Sequence, residues 1–167
     1  NQHEVFDPLF YKSDGNEYRS ASGAPGPKYW QNRADYKINV TLDTAQHTVA
    51  GTTIINYKNN SPEELPFLWL QLDQNVYQQD SRGEATALVS GGRYANKTFT
   101  KGNEIKSVHL IQNGKTQEAD YIINDTRMQI RLPQALKASG GTIEIKIVYA
   151  FEIPLYGTDR MGRVLTK

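Results

Sequence analysis

The sequence predicts an all-β fold: an antiparallel β-sandwich or related open sheet of hairpin-connected strands, with at most one short helix. Three observations predict it. Apolar residues recur with a period of two in several separate runs, those runs are rich in Val, Ile, Thr and Tyr, and Gly, Asn, Asp and Pro punctuate them at short intervals. No stretch of roughly ten residues carries a helical apolar stripe, and no internal repeat suggests a propeller or solenoid.

Residues 1–27 show no sustained period. Phe6, Leu9, Phe10 and Tyr11 precede a polar stretch and then Gly23-Ala24-Pro25-Gly26-Pro27, which reads as an extended N-terminal arm with aromatics free to dock. Residues 28–167 read as the β domain. Tyr36, Ile38, Val40 and Leu42 alternate with Lys37, Asn39, Thr41 and Asp43, the pattern of a half-buried strand. Asp43 to His47 supplies a turn and Val49 to Tyr57 the next strand, where Gly51 marks a bulge or a close approach.

The stretch from Glu64 to Tyr77 is the most strongly patterned. Leu68, Leu70 and Leu72 face one way, toward a core, and Trp69, Gln71 and Asp73 the other. The cluster Asn59-Asn60-Ser61-Pro62 before it has the length of a hairpin turn joining it to the preceding strand. Gln78 to Asn103 is the least strand-like region, and there Ser81-Arg82-Gly83-Glu84 fits a capping box ahead of a short helix over Ala85 to Val89. Ile105 to Gln112 then leads to Asn113-Gly114, a tight hairpin turn, and a strand from Thr116. Asp120 to Ile123, the turn Asn124-Asp125-Thr126, and a strand through Met128, Ile130 and Leu132 closed by Pro133 make another hairpin. After Gly140-Gly141, Ile143, Ile145, Ile147, Tyr149 and Phe151 share one face of the longest alternation. Thr142, Glu144, Lys146, Val148 and Ala150 share the other, polar first and apolar later.

Composition narrows the function classes. The 167 residues suit one domain, and 19 basic against 18 acidic residues, interspersed, advertise no nucleic-acid partner. Absence of cysteine excludes a disulfide scaffold, a thiolate zinc site and a cysteine nucleophile. No apolar run approaches the roughly 20 residues of a membrane helix. The first residues, Asn1-Gln2-His3-Glu4, lack an initiator methionine and a signal-peptide pattern, as expected of a mature or trimmed product. Asn39, Asn59, Asn96 and Asn124 open Asn-x-Ser/Thr triplets, which an Asn-rich chain also produces by chance.

Catalytic signatures are missing. His3, His47 and His109 fall in different elements with no His-Glu-x-x-His pair, and no Gly-x-Ser-x-Gly elbow occurs. Gly23 to Gly26 and Gly91-Gly92 match no phosphate-binding fingerprint. Glu63-Glu64, Asp73 and Asp80 read as solvated face or turn. Tyr29, Trp30, Trp69, Tyr77 and Tyr94 could form a sugar-binding platform, although aromatic residues are an ordinary 10% of the chain and most should pack. The expected site is therefore empty of catalytic, cofactor-binding and metal-binding residues.

A family resemblance rests on Pro27-Lys28-Tyr29-Trp30-Gln31-Asn32-Arg33-Ala34-Asp35-Tyr36, Leu42-Asp43, the Gly51 strand, Tyr57-Lys58-Asn59-Asn60-Ser61-Pro62 and Leu68-Trp69-Leu70-Gln71-Leu72-Asp73-Gln74-Asn75. In order and spacing these resemble the amino-terminal domain of bacterial M1-family zinc metallopeptidases, the aminopeptidase N-like gluzincins. The resemblance runs from about residue 24 to 163, strongest over 27–77, and touches the closing strand Thr142 to Ile153 and Arg160-Met161-Gly162-Arg163. It implies the first part of a saddle-shaped antiparallel β domain.

The family's zinc ligands lie on a His-Glu-x-x-His helix with a downstream glutamate, and a Gly-x-Met-Glu-Asn motif holds the substrate amine, both in a following thermolysin-like domain. Neither motif is in this sequence. The Gln or Glu that the amino-terminal domain lends to the amine site is expected shortly after Arg163, where the sequence runs only to Lys167. The resemblance thus implies a non-catalytic domain that supports a catalytic domain of the same polypeptide and walls its substrate cleft. Zinc and peptide substrate would belong to the full-length protein, in the periplasm or secreted from a bacterium, and an apolar patch should mark where the catalytic domain docks. The alternative is a free-standing β-sandwich binding module for carbohydrate or protein.

Overall fold

A computed structural model describes residues 14–85, 98–155 and 161–163. The chain divides into two compact units at Gln31 and Asn32. The first is a tight loop in which Arg19 bridges Pro25 in antiparallel fashion. Asn16 Oδ1 accepts the amides of Tyr18 and Arg19, both at 2.9 Å, and the Arg19 guanidinium lies 5.3 Å from the centre of the Tyr29 ring. Phe6, Leu9, Phe10 and Tyr11 lie outside the described residues.

The described residues of the second unit form eight strands: β1 (Arg33–Asp43), β2 (Thr48–Asn59), β3 (Leu65–Gln71), β4 (Glu104–Gln112), β5 (Lys115–Glu118), β6 (Asp120–Asn124), β7 (Arg127–Leu136) and β8 (Gly141–Glu152). They form a five-stranded sheet, β1-β2-β8-β4-β5, and a three-stranded sheet, β3-β7-β6, in which every pairing is antiparallel. The all-β class read from the sequence is the one observed.

Three of the hairpins follow local turn chemistry. Between β1 and β2, Asp43 Oδ1 accepts the amides of Ala45 and Gln46 at 2.9 Å, and His47 takes a left-handed φ of 53°. Between β4 and β5, Asn113 and Gly114 have φ of 52° and 74°, the two positive values a tight primed turn demands. Between β6 and β7, Asp125 takes the left-handed φ of 57°.

The expected hairpin between β2 and β3 does not form, because the two strands lie in different sheets. What the turn cluster builds instead is a crossover clamped by the buried Asn59. Its Nδ2 donates to the carbonyls of Glu63 at 2.8 Å and Lys137 at 3.0 Å, and the Gly140 amide donates to its own carbonyl at 2.6 Å. Asn59 therefore ties the crossover to the β7–β8 loop, a role that a local reading of turn residues does not reveal.

Two further expectations change. The strand from Glu64 stops at Gln71, and Asp73–Tyr77 winds into a 3-10 turn whose Asn75 is buried. Asn75 Nδ2 donates to the Asp125 carbonyl at 2.7 Å and its Oδ1 accepts the Asn103 amide at 2.8 Å, which pins the segment between the β6–β7 turn and the entry to β4. Pro133 does not close β7. The strand runs to Leu136 through a register shift opposite Leu65 and Phe67, the kind of irregularity where a strand proline is tolerated. The helix α1 covers Arg82–Ala85. Its expected continuation to Val89, like Gly91-Gly92, lies outside the described residues.

The core sits between the sheets. Leu68 and Leu72 with Met128, Ile130, Leu132 and Leu136 of the small sheet meet Ile55, Val108, Leu110, Ile143, Ile145 and Ile147 of the large one. The Leu68, Leu70, Leu72 face expected to be core is core, with Leu70 partly buried against it. Trp69 projects the other way and is 56% exposed.

Candidate functional site

Cross-strand register places four rows on the core-facing side of the large sheet across β1, β2 and β8. They are Tyr36, Ile55, Ile145; Ile38, Thr53, Ile147; Val40, Gly51, Tyr149; and Leu42, Val49, Phe151. Burial falls along β8 from row to row, Ile145 and Ile147 being buried and Tyr149 and Phe151 only half-buried. It falls across the sheet as well, since Ile55 on β2 is buried while every residue of β1 is exposed. The half-buried strand expected at Tyr36 to Asp43 is thus fully exposed, with Tyr36 at 62% and Ile38, Val40 and Leu42 each above half.

The sizes of the sheets explain this. The large sheet has five strands, with β1 at its edge and β1, β2 and β8 of 11, 12 and 12 residues, whereas the small one has three, β3, β7 and β6, of 7, 10 and 5. At about 3.3 Å per residue the small sheet cannot cover the large one, and the outer rows are left open.

Where the covered and open parts meet is a groove of about 380 Å³. Leu70 and Leu72 form one wall, and Ile105, Ile147 and Tyr149 the other. Asp73, Gln74 and Asn103 stand at its polar end, and Gln74 Oε1 is buried with no hydrogen-bond partner among the described residues. An unmatched buried acceptor is costly unless something outside the unit supplies a donor. Gly51 shapes the open face: a Cβ there would lie 2.9 Å from both the Tyr149 ring and Val40 Cγ1. The close approach expected at Gly51 is therefore made by side chains, and the β1–β2 register runs through it without a bulge. Tyr149 and Phe151 stack with parallel rings 6.5 Å apart.

The other polar clusters hold no catalytic constellation among the described residues. His47 Nδ1 accepts from Arg163 Nη1 at 3.1 Å, and Arg163 Nη2 contacts Glu152 at 3.3 Å. His109 lies on β4 opposite Glu118 and Lys146, and His3 is outside the described residues. Glu63, Glu64, Asp73 and Asp80 are exposed. A cleft of about 530 Å³ beside α1 gathers Asp73, Asp125, Arg82 and Arg127, opposite charges that offset each other. Among the described residues no three His, Asp or Glu side chains gather to hold a metal, so they do not fit the zinc that the resemblance places in a following domain.

Of the five aromatic residues weighed as a sugar platform, only Trp69 is exposed among the described residues of the second unit. Tyr77 is buried at 3% exposure, Tyr29 and Trp30 belong to the first unit, and Tyr94 lies outside the described residues. Trp69 instead pairs edge-to-face with Phe67 at 6.2 Å on the outer side of the small sheet, with Ile122 exposed in the same row. Of the Asn-x-Ser/Thr triplets, Asn59 is fully buried and hydrogen-bonded, Asn39 and Asn124 are exposed, and Asn96 lies outside the described residues. Sequence reasoning missed Gln74 and Phe67 as site residues: Gln74 stands in the motif run, but its buried acceptor shows only in three dimensions, and Phe67 belongs to no motif.

No protein-family model and no curated protein matches the chain. Among solved structures it is similar to a two-domain M1 zinc metallopeptidase bound to L-arginine, with a TM-score of 0.44 and 15% identity over 74% of this chain and 22% of that one. An M1 zinc metallopeptidase from Deinococcus radiodurans bound to a Tyr-Ser-Ala substrate gives a TM-score of 0.45 and 15% identity over 74% and 21%. The chain spans about a fifth of the length of these structures. At this identity and TM-score, its function has to be argued from its own residues.

Proposed function

We propose that this chain is the non-catalytic amino-terminal β domain of a bacterial zinc-dependent aminopeptidase-like metallopeptidase, periplasmic or secreted. It supports the catalytic domain of the same polypeptide and walls its substrate cleft. The observation that carries the reading is the open apolar face: Tyr36, Ile38, Val40 and Leu42 on β1, continued by Val49, Tyr149 and Phe151. A contiguous apolar surface bordered by a buried acceptor without a donor is what a domain interface leaves when one side is viewed alone, and such interfaces commonly bury on the order of 600 to 1,500 Å². The motif run from Trp30 to Asn75, which resembles that family, supports the reading. Zinc and the reacting peptide would be held by the catalytic domain.

The test has two arms. The purified chain, given zinc and aminoacyl reporter substrates, should show no turnover, and metal-dependent hydrolysis by the chain alone would sink the proposal. Reading on from residue 167 in the same frame should reveal a His-Glu-x-x-His sequence. The encoded domain, expressed separately, should bind this chain but not its Ile38→Asp/Val40→Asp variant, and equal binding of both would overturn the assignment of the face.

A second reading is favoured by the Trp69–Phe67 pair, which presents two exposed aromatic rings as sugar-binding modules do. Glycan-array binding that disappears in Trp69→Ala would support this free-standing binding module in place of the first reading.

A further inference from the structure

Among the described residues the outer edge of β1 is unpaired, and it is distinct from the apolar face. β1 is the terminal strand of its sheet, 11 residues long, and pairs only with β2. Among the described residues no other backbone group bonds to it. Edge strands are usually protected by proline, a bulge or shortness. β1 has no proline and no glycine, and its eleven partners in β2 follow without interruption. Its protective features are its charges, Arg33, Asp35, Lys37 and Asp43, of which Arg33 and Asp35 pair with each other at 2.8 Å in the single chain.

We infer that two copies of this chain pair through β1 about a two-fold axis at Ile38, joining their sheets into one antiparallel sheet of ten strands. Full overlap and the charge pattern of the strand together select the register: axes at Tyr36 or Val40 also oppose unlike charges, but they pair only seven residues where the Ile38 axis pairs eleven. Opposed residues in an antiparallel pair share a face, so a two-fold axis perpendicular to the sheet pairs residues of like parity. Centred on Ile38, all eleven residues pair: Arg33 meets Asp43 twice, Asp35 meets Thr41, and Lys37 meets Asn39. Tyr36 meets Val40, and Ile38 meets itself. No like charges oppose. A slip by two residues in one sense sets Asp35 against Asp43 twice, and in the other sets Lys37 against Lys37, and directly opposed like charges destabilise a sheet. The pairing adds strands at the edge and leaves the apolar face open, so it does not depend on what covers that face.

The test uses the whole chain, which contains no cysteine. Sedimentation at submillimolar concentration should show a monomer–dimer equilibrium, and a strict monomer would overturn the inference. Position follows from single thiols at exposed sites, with folding checked by circular dichroism. A thiol cross-linker spanning about 8 Å should join Ile38→Cys, whose Cβ atoms would lie ~5 Å apart. It should not join Tyr36→Cys or Val40→Cys, each about 14 Å from its own copy at ~3.4 Å per residue. Equal linking at all three sites would indicate face-to-face association and refute the edge register. Arg33→Asp should weaken the dimer roughly tenfold and Arg33→Lys should leave it nearly unchanged. Equal behaviour of these two variants would refute the charge pairing.

Discussion

Asn59 Oδ1 accepts two hydrogen bonds from Ser61, from its amide at 3.0 Å and from its hydroxyl at 2.7 Å. Both residues are buried, and the Ser61 carbonyl in turn accepts the Ser139 amide at 2.8 Å. This polar cluster, rather than a hairpin, redirects the chain from one sheet to the other. Asn59→Ala removes the Nδ2 donor from the carbonyls of Glu63 and Lys137 and the Oδ1 acceptor from Ser61, and should cost about 2–4 kcal/mol by urea denaturation. Asn59→Asp should cost more at neutral pH, since a carboxylate would face those carbonyls, and the deficit relative to Asn59→Ala should shrink on acidification.

Residues with the same sequence pattern should differ sharply in what they contribute to stability. Ile130 is fully buried, and Ile130→Ala should cost about 2–5 kcal/mol. Ile38 has a similar alternating context but is 57% exposed, and at low protein concentration Ile38→Ala should fall within about 0.5 kcal/mol of the parent chain. Denaturation of the two variants side by side checks whether the β1 face is open.

The carboxyl group of Glu104 is held below its ordinary value of 4.5, first by a hydrogen bond from Lys106 and then by the charge of the same lysine, with Nζ 2.6 Å from Oε2. A depressed folded-state value means that the contribution is present above the unfolded value and lost as pH falls through the folded one. The affected window therefore lies below about pH 4.5. Both side chains are exposed, so the effect on stability is small. Nuclear magnetic resonance titration should show the Glu104 midpoint moving up in Lys106→Ala and unchanged in His109→Ala.

Much of this architecture is legible locally, and the remainder depends on partners distant in sequence. The leucine face of β3, the Asn113-Gly114 turn and the long alternation of β8 are properties of neighbouring residues, and all three are observed. The β2–β3 crossover is not, because Asn59 hydrogen-bonds to Lys137, 78 residues away. Nor is the exposure of Tyr36 to Leu42, because alternation identifies an apolar face without saying whether the opposing sheet is long enough to cover it. The resemblance over residues 27–77 implies an apolar patch, and an exposed apolar face is present, with its occupant left to the proposal above. The unpartnered Gln74 acceptor required coordinates.

Gly51 and Tyr149 provide a test of how the open face is built. The Tyr149 ring lies over Gly51 and occupies the space a Cβ would need, at 2.9 Å, with Val40 Cγ1 as close on the other side. Gly51→Ala should therefore destabilise the chain by about 1–3 kcal/mol through overpacking, even though alanine is by itself the better strand residue by roughly 0.5–1 kcal/mol. In a Tyr149→Ala background the ring is gone, and the same substitution should become neutral or stabilising unless Val40 alone blocks it, which Val40→Ala would relieve. A double-mutant cycle by thermal or urea denaturation should thus give a coupling of at least about 1 kcal/mol between positions 51 and 149. Additive behaviour would mean that the ring does not rest on Gly51, and the groove beside Leu70 and Ile105 would then have a different wall.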